Sequence, residues 1–87
     1  MKLSIIIPVK NEELLIKKIF SQLMDNLKSL PYEIIFINDF STDNTVKVTE
    51  ELIQNNNYIK IYNNIKKGLG GAITQGINKA SGDVVCI

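Results

Sequence analysis

The sequence predicts an α/β domain of three layers, a parallel sheet of about four strands with helices on both faces. Two observations carry this. Short apolar runs recur without polar alternation, the pattern of strands covered on both sides. Between them the apolar residues fall at helical spacing, so strand and helix alternate and each connection must cross over. Composition agrees: 87 residues, 45% hydrophobic and 22% charged, describe an ordinary globular chain.

Leu3 to Val9 is the first strand, with three successive isoleucines and Pro8 marking its end. From Asn11 the period changes. Leu15, Ile16, Ile19, Phe20, Leu23 and Leu27 recur at spacings of three and four, one apolar stripe on a helix. Asn11 is its expected N-cap, and Glu12 and Glu13 lie where the helix dipole favours negative charge. Pro31 closes the segment. Glu33 to Ile37 is a second buried strand and Asp39 to Asp43 its turn. Ser41 or Asp43 is expected to cap a second helix that carries Val46, Thr49, Leu52 and Ile53 inward. The asparagines of "QNNNY" end that helix. Tyr58 to Tyr62 forms the third strand and "NNIKKGLGG" a loop, after which Ala72, Ile73, Ile77 and Ala80 share one side of a third helix. Ser81, Gly82 and Asp83 turn the chain into "VVCI", the fourth strand. In the order 3-2-1-4 that strand is an apolar edge, expected to pair with another copy. The chain stops inside it, at Ile87, where domains rarely end, so part of a longer domain is expected.

Net charge is +1, with ten basic and nine acidic residues interleaved, which offers no electrostatic footprint for nucleic acid. Cys86 is the sole cysteine and histidine is absent, excluding disulfide frameworks and Cys/His zinc sites. Cys86 is expected in the core, and a lone cysteine fits a reducing cytoplasm. The opening "MKLSIIIPVK" meets Pro8 and Lys10 too soon for a signal peptide, and no window approaches the ~20 apolar residues that span a bilayer. A soluble chain is expected.

Ligands of open parallel sheets bind beyond the carboxyl ends of the strands. Three segments meet that rim: Pro8 to Glu12, Asn38 to Asp43, and Asn63 to Gly71. Asp39 can accept from a base N–H and Glu12 from ribose hydroxyls, with the backbone of Pro8 and Val9 as the floor. Lys66 and Lys67 can meet a diphosphate. Asn38, Asp39, Ser41 and Asp43 serve equally well as turn and cap residues, and spacing alone leaves both readings open. The glycine loop "GLGGAITQG" is not the dinucleotide fingerprint G-x-G-x-x-G, because Ile73 holds its last position and the loop follows the third strand. No Lys-Ser or Lys-Thr follows at P-loop spacing. A phospho-acceptor receiver is disfavoured too, since Pro8-Val9-Lys10 and Asn63-Asn64 stand where it needs acidic residues.

Taken together, Ser4 to Ile87 resembles the family 2 glycosyltransferases of the GT-A fold, nearest their dolichyl- or polyprenyl-phosphate sugar transferase branch. "SIIIPVKNEE" is similar to the opening S-V/I-V/I-V/I-P-x-Y/F-N-E-E, and "EIIFINDFSTDNT" to E-I/V-I/V-x-V-D-D-G-S-x-D-x-T. "GLGGAITQGINKASGDV" is similar to G-L/K-G-x-A-x-x-x-G-x-x-x-A-x-G-D-V/I. The resemblance implies a Rossmann-like nucleotide-binding half and sugar transfer from a UDP- or GDP-linked donor to a polyprenyl phosphate or glycan. By motif position, Pro8, Asn11 and Glu12 contact the nucleotide and Asp39 the base. Gly68, Gly70 and Ala72 lie beside it, while Gly82 and Asp83 form the turn before the fourth strand. Val9, Asn38, Ser41 and Lys67 complete the expected nucleotide-binding set. Three positions depart from the pattern: Asn38 replaces the first aspartate, Phe40 a turn glycine and Lys10 an aromatic. Phe40 is expected to resist a left-handed turn.

The resemblance places the D-x-D motif and the general base beyond Ile87. Residues 1–87 are thus expected to be the N-terminal part of the domain, without activity of their own. Mg²⁺ or Mn²⁺ is expected for the complete domain and none for this chain alone. The alternative is a non-catalytic nucleotide-binding or assembly module. A lipid acceptor would imply peripheral association with the cytoplasmic face of a membrane.

Overall fold

A computed structural model describes residues 2–26, 31–54 and 56–87. Its elements are β1 (Leu3–Val9), α1 (Glu13–Asn26), β2 (Tyr32–Asn38), α2 (Thr45–Ile53), β3 (Ile59–Asn63), α3 (Leu69–Lys79) and β4 (Val84–Cys86). The strands form one parallel sheet in the order β3-β2-β1-β4.

Successive strand residues point to opposite faces, which is why β1 and β2 are apolar without alternation. Ile5, Val9, Ile34, Phe36 and Ile59 face α1 and α2, meeting Ile16, Phe20 and Leu23 from the first helix and Val48, Leu52 and Ile53 from the second. Ile6, Ile35 and Ile37 face α3 and pack on Ala72 and Ala80. Gly76 lets α3 come close: a Cβ there would lie 2.3 Å from Ile6 Cγ2.

The stripes are narrower than expected. Leu15 is 48% exposed, because one step along a helix from buried Ile16 turns it by about 100°. Ile77 stands in the same relation to Gly76 and is also exposed. Val48, not Val46, packs on the core beside buried Thr45 and Thr49. β3 runs one residue later than the sequence suggests, and α3 begins at Leu69, taking in Gly70 and Gly71. Cys86 is exposed rather than in the core, because β4 is an edge strand of three exposed residues. Leu27 and Asn55, the first asparagine of "QNNNY", lie outside the described residues.

The amino ends of the strands are tied by one buried carboxylate. Glu33 accepts from Ser4 Oγ at 2.6 Å, Ser81 N–H at 2.7 Å and Ser81 Oγ at 3.0 Å, with Lys2 Nζ at 3.9 Å. Gly82 N–H donates to Ser4 Oγ and Lys2 N–H to Asp83 Oδ2, at 2.8 and 2.9 Å. Gly82 and Asp83 therefore serve the end of the sheet opposite the candidate rim. Burial alone raises the Glu33 carboxyl, but the bonds from Ser4 and Ser81 and the Lys2 ammonium outweigh it and hold the group below its usual value.

Candidate functional site

The carboxyl ends of three strands finish in step. Val9 pairs with Asn38, and Asn38 with Asn63. Asp39 N–H then donates to Val9 C=O at 2.9 Å and Asn64 N–H to Asn38 C=O at 2.8 Å. This brings Val9, Asp39 and Asn64 together at adjacent strand ends. Pro8, half-buried, pairs with Ile37 on one side. β4 reaches only as far as Ile5 on the other, so the missing proline N–H costs no ladder bond there.

The first two loops are stitched to one another. Asn11 adopts φ 52°, a left-handed conformation asparagine tolerates. Its Oδ1 accepts from Thr42 N–H at 2.7 Å, Thr42 Oγ1 at 3.3 Å and Asp43 N–H at 3.3 Å, and its own N–H donates to Ser41 Oγ at 3.0 Å. Asn11 is therefore not the helix cap, because these donors draw its side chain to the neighbouring loop. The Glu12 carbonyl opens α1 instead, accepting from Leu15 and Ile16 N–H. Glu12 N–H donates to Thr45 Oγ1 at 2.8 Å. Neither Ser41 nor Asp43 is the N-cap of α2, a position held by Asn44 with no side-chain cap bond. Asp43 accepts from the Thr45 hydroxyl and N–H, and these bonds, the hydroxyl's foremost, hold its carboxyl below the usual range.

Asn38 Oδ1 accepts from Ser41 N–H at 3.1 Å, and its Nδ2 donates to Asn63 Oδ1 at 3.0 Å. Phe40 takes φ 58° despite its side chain, so the left-handed turn survives the loss of glycine. The loop geometry set by Asn11 and Asn38 on either side outweighs the local steric cost.

Asp39 is held differently. Its Oδ1 accepts from Gly68 N–H and from Asn64 Nδ2, both at 3.0 Å. Gly68 sits at φ 111°, open only to glycine. The Gly68 N–H first, then the Asn64 amide, hold the Asp39 carboxyl below its ordinary value; burial opposes them, and the Lys10 and Lys67 ammonium groups assist. Among the described residues nothing donates to Asp39 Oδ2. Asp39 is thus a largely buried, ionised acceptor with Oδ1 engaged twice and Oδ2 left without a donor among the described residues.

Two grooves lie nearby. One of 330 Å³ is lined by Asn11, Glu12, Glu13, Leu14, Leu15 and Asp43. The other, of 510 Å³, runs along α3 and includes Lys66, Lys67, Gly70, Gly71, Thr74 and Gln75. Asp39 lines neither. The sequence puts Asn63 and Asn64 on the rim only as the start of the third segment, and it does not single out Thr45 at all. The asparagine doublet at the end of the third strand was the available signal. Among the described residues no three His, Cys, Asp or Glu side chains gather where a cation could be held. No described helix is long and apolar enough to cross a membrane.

The three-layer arrangement with loops converging at the strand ends is a GT-A-type α/β fold. The mannosyltransferase PcManGT from Pyrobaculum calidifontis, solved with GDP-Man and Mn²⁺, superposes at a TM-score of 0.83 with 19% identity, over 95% of this chain and 25% of that one. The profile of "Glycosyl transferase family 2" matches residues 4–87, and the chain belongs to that family. It is 37% identical over 87 residues to the dolichol-phosphate mannosyltransferase of Pyrococcus furiosus, covering 100% of this chain and 25% of the relative. It is 39% identical over 88 residues to the undecaprenyl-phosphate 4-deoxy-4-formamido-L-arabinose transferase of Proteus mirabilis, covering 97% and 27%. The chain therefore spans about a quarter of the length of these relatives.

Proposed function

We propose that this chain supplies the donor-nucleotide half of a glycosyltransferase, the N-terminal part of a longer GT-A domain. The observation that carries this reading is Asp39, ionised and clamped through Oδ1 at the rim where three strands end, with Oδ2 left without a donor among the described residues. A fixed acceptor of this kind suits the N–H edge of a nucleobase. Glu12 takes the ribose hydroxyls, with the Pro8 and Val9 backbone as the floor. Asn11, Asn38 and Ser41 keep the two loops in register, with Asn11 Oδ1, Ser41 Oγ and the Asn38 amide bonded across and within them, while Asn11 Nδ2 and the Ser41 hydroxyl proton remain for the nucleotide. Lys67, Gly68 and Gly70 lie beside the phosphates.

The reaction served is transfer of the donor sugar from its nucleoside diphosphate to an acceptor. The names of the relatives support a polyprenyl phosphate as that acceptor, which would hold the complete enzyme at the cytoplasmic face of a membrane. Mg²⁺ or Mn²⁺ would neutralise the leaving diphosphate in the complete domain. The described carboxylates do not cluster to hold it, and Asp39 and Asp43 are each engaged with their own loops, so no side chain here is assigned to the metal.

Amide chemical-shift mapping with UDP and GDP tests the reading. Shifts are expected at Val9 to Glu12, Asn38 to Ser41 and Asn64 to Gly70. Shifts confined to other surfaces would remove this crevice as the nucleotide site.

A further inference from the structure

Asn64 is 5% exposed and joins two parts of the rim. Its Nδ2 donates both to Asp39 Oδ1 at 3.0 Å and to Gly68 C=O at 3.1 Å. Two acceptors around one amide nitrogen settle which way the side chain points, because a flipped amide would set its oxygen against both. Its Oδ1 consequently has no partner, and it is the buried side-chain atom among the described residues left in that state. An orphaned buried oxygen lowers stability, and an apolar side chain of the same shape would avoid that cost. The backbone does not require the asparagine either. Gly68 C=O also accepts from Ala72 N–H at 3.1 Å in the first turn of α3, and it would keep that bond without Asn64. The group that depends on the Asn64 amide is Asp39.

We propose that Asn64 is a positioning residue for nucleoside recognition, holding the Asp39 carboxylate in one orientation so that Oδ1 is saturated and Oδ2 is presented to the base. This rests on the nucleotide-binding reading above. A carboxylate free to rotate about its side-chain torsions would have to be ordered at each binding event, and the Asn64 amide and Gly68 N–H do this in advance. Lys10 and Lys67 are the charged groups near Asp39, and they act on it through charge rather than through a hydrogen bond, so they attract the carboxylate without fixing its direction.

The test is Asn64→Leu in the full chain, which removes the amide donor and the orphaned oxygen together while keeping the shape. Three quantities are read: the melting temperature, the titration of the Asp39 carboxyl carbon by NMR (assigned by its loss in Asp39→Asn), and the affinity for UDP and GDP across pH. The proposal expects a chain that stays folded and an Asp39 that titrates at higher pH. It also expects affinity to fall by about tenfold for whichever nucleotide binds, the loss of one charge-assisted hydrogen bond. The pH below which binding fails should rise together with the Asp39 titration. An Asp39 titration unmoved by the substitution, or a moved titration with unchanged affinity, overturns the proposal. A wild type that binds neither nucleotide while Asp39 still responds to Asn64→Leu instead overturns the nucleotide reading and leaves the clamp purely structural. Should Asn64→Leu unfold, Asn64→Asp keeps a polar side chain while putting a like charge beside Asp39, and it must raise that titration if the contact is as described.

Discussion

Asn38 stands where the family pattern has an aspartate, and its amide does what a carboxylate cannot: Nδ2 donates to Asn63 Oδ1 while Oδ1 accepts from Ser41 N–H. The lost charge is thus answered by a neighbour on β3. Phe40 is the opposite case, a departure from the pattern that leaves a half-exposed side chain in a left-handed conformation. A left-handed backbone costs a non-glycine residue roughly 1–2 kcal/mol, and the extra freedom of unfolded glycine takes back roughly 0.5–1. Phe40→Gly is therefore expected to stabilise the chain by roughly 0.5–1 kcal/mol in urea denaturation. A lower midpoint would mean that the half-exposed ring contributes more than its backbone costs. Asp39 was legible in the sequence because a motif surrounds it. Asn64 was not, because two asparagines after a short strand have the composition of any turn. Its role emerges only when β2 and β3 pair and bring it beside Asp39.

Gly76 sets the distance between α3 and the sheet. Gly76→Ala would place a Cβ against Ile6 Cγ2, an atom near the backbone of a central strand with little room to yield. A loss of about 1–3 kcal/mol is expected from thermal or urea unfolding, and a neutral result would show that α3 can move outward without penalty. Glu33 ties β1, β2 and the turn before β4. Its folded carboxyl lies below 4.5, so its contribution is complete above that value and is lost as pH falls through the lower folded one. The stability of the wild type should fall across that window more steeply than that of Glu33→Gln. Parallel urea midpoints against pH would contradict this. At this scale the sequence was most readable: all seven elements occur in the expected order, because periods of 2 and 3.6 leave different marks. What it blurred was the width of each buried stripe. Leu15, Val46 and Ile77 are apolar residues one step off the buried face, and hydrophobicity alone does not separate them from core. Asn11 misled for a related reason, since a side chain suited to capping is equally suited to bridging two loops.

The chain has a radius of gyration of 12.1 Å, matching the ~12 Å of a compact unit of this length, so even the short β4 is docked rather than trailing. β4 nevertheless leaves Val84, Val85 and Ile87 exposed along an open edge. Edge pairing between copies is expected, seen as a mass that rises with concentration in size-exclusion with light scattering and falls back in Val85→Lys. A wild type that stays monomeric at the highest concentrations would contradict it. The central claim concerns the whole rim, and titration calorimetry tests it most directly. The chain is titrated with UDP, GDP and ADP, with and without Mn²⁺, alongside folded Asp39→Ala. Selective binding of UDP or GDP that disappears in Asp39→Ala is the predicted result; a folded wild type that binds none of the three, or binds them equally well without Asp39, would contradict the account.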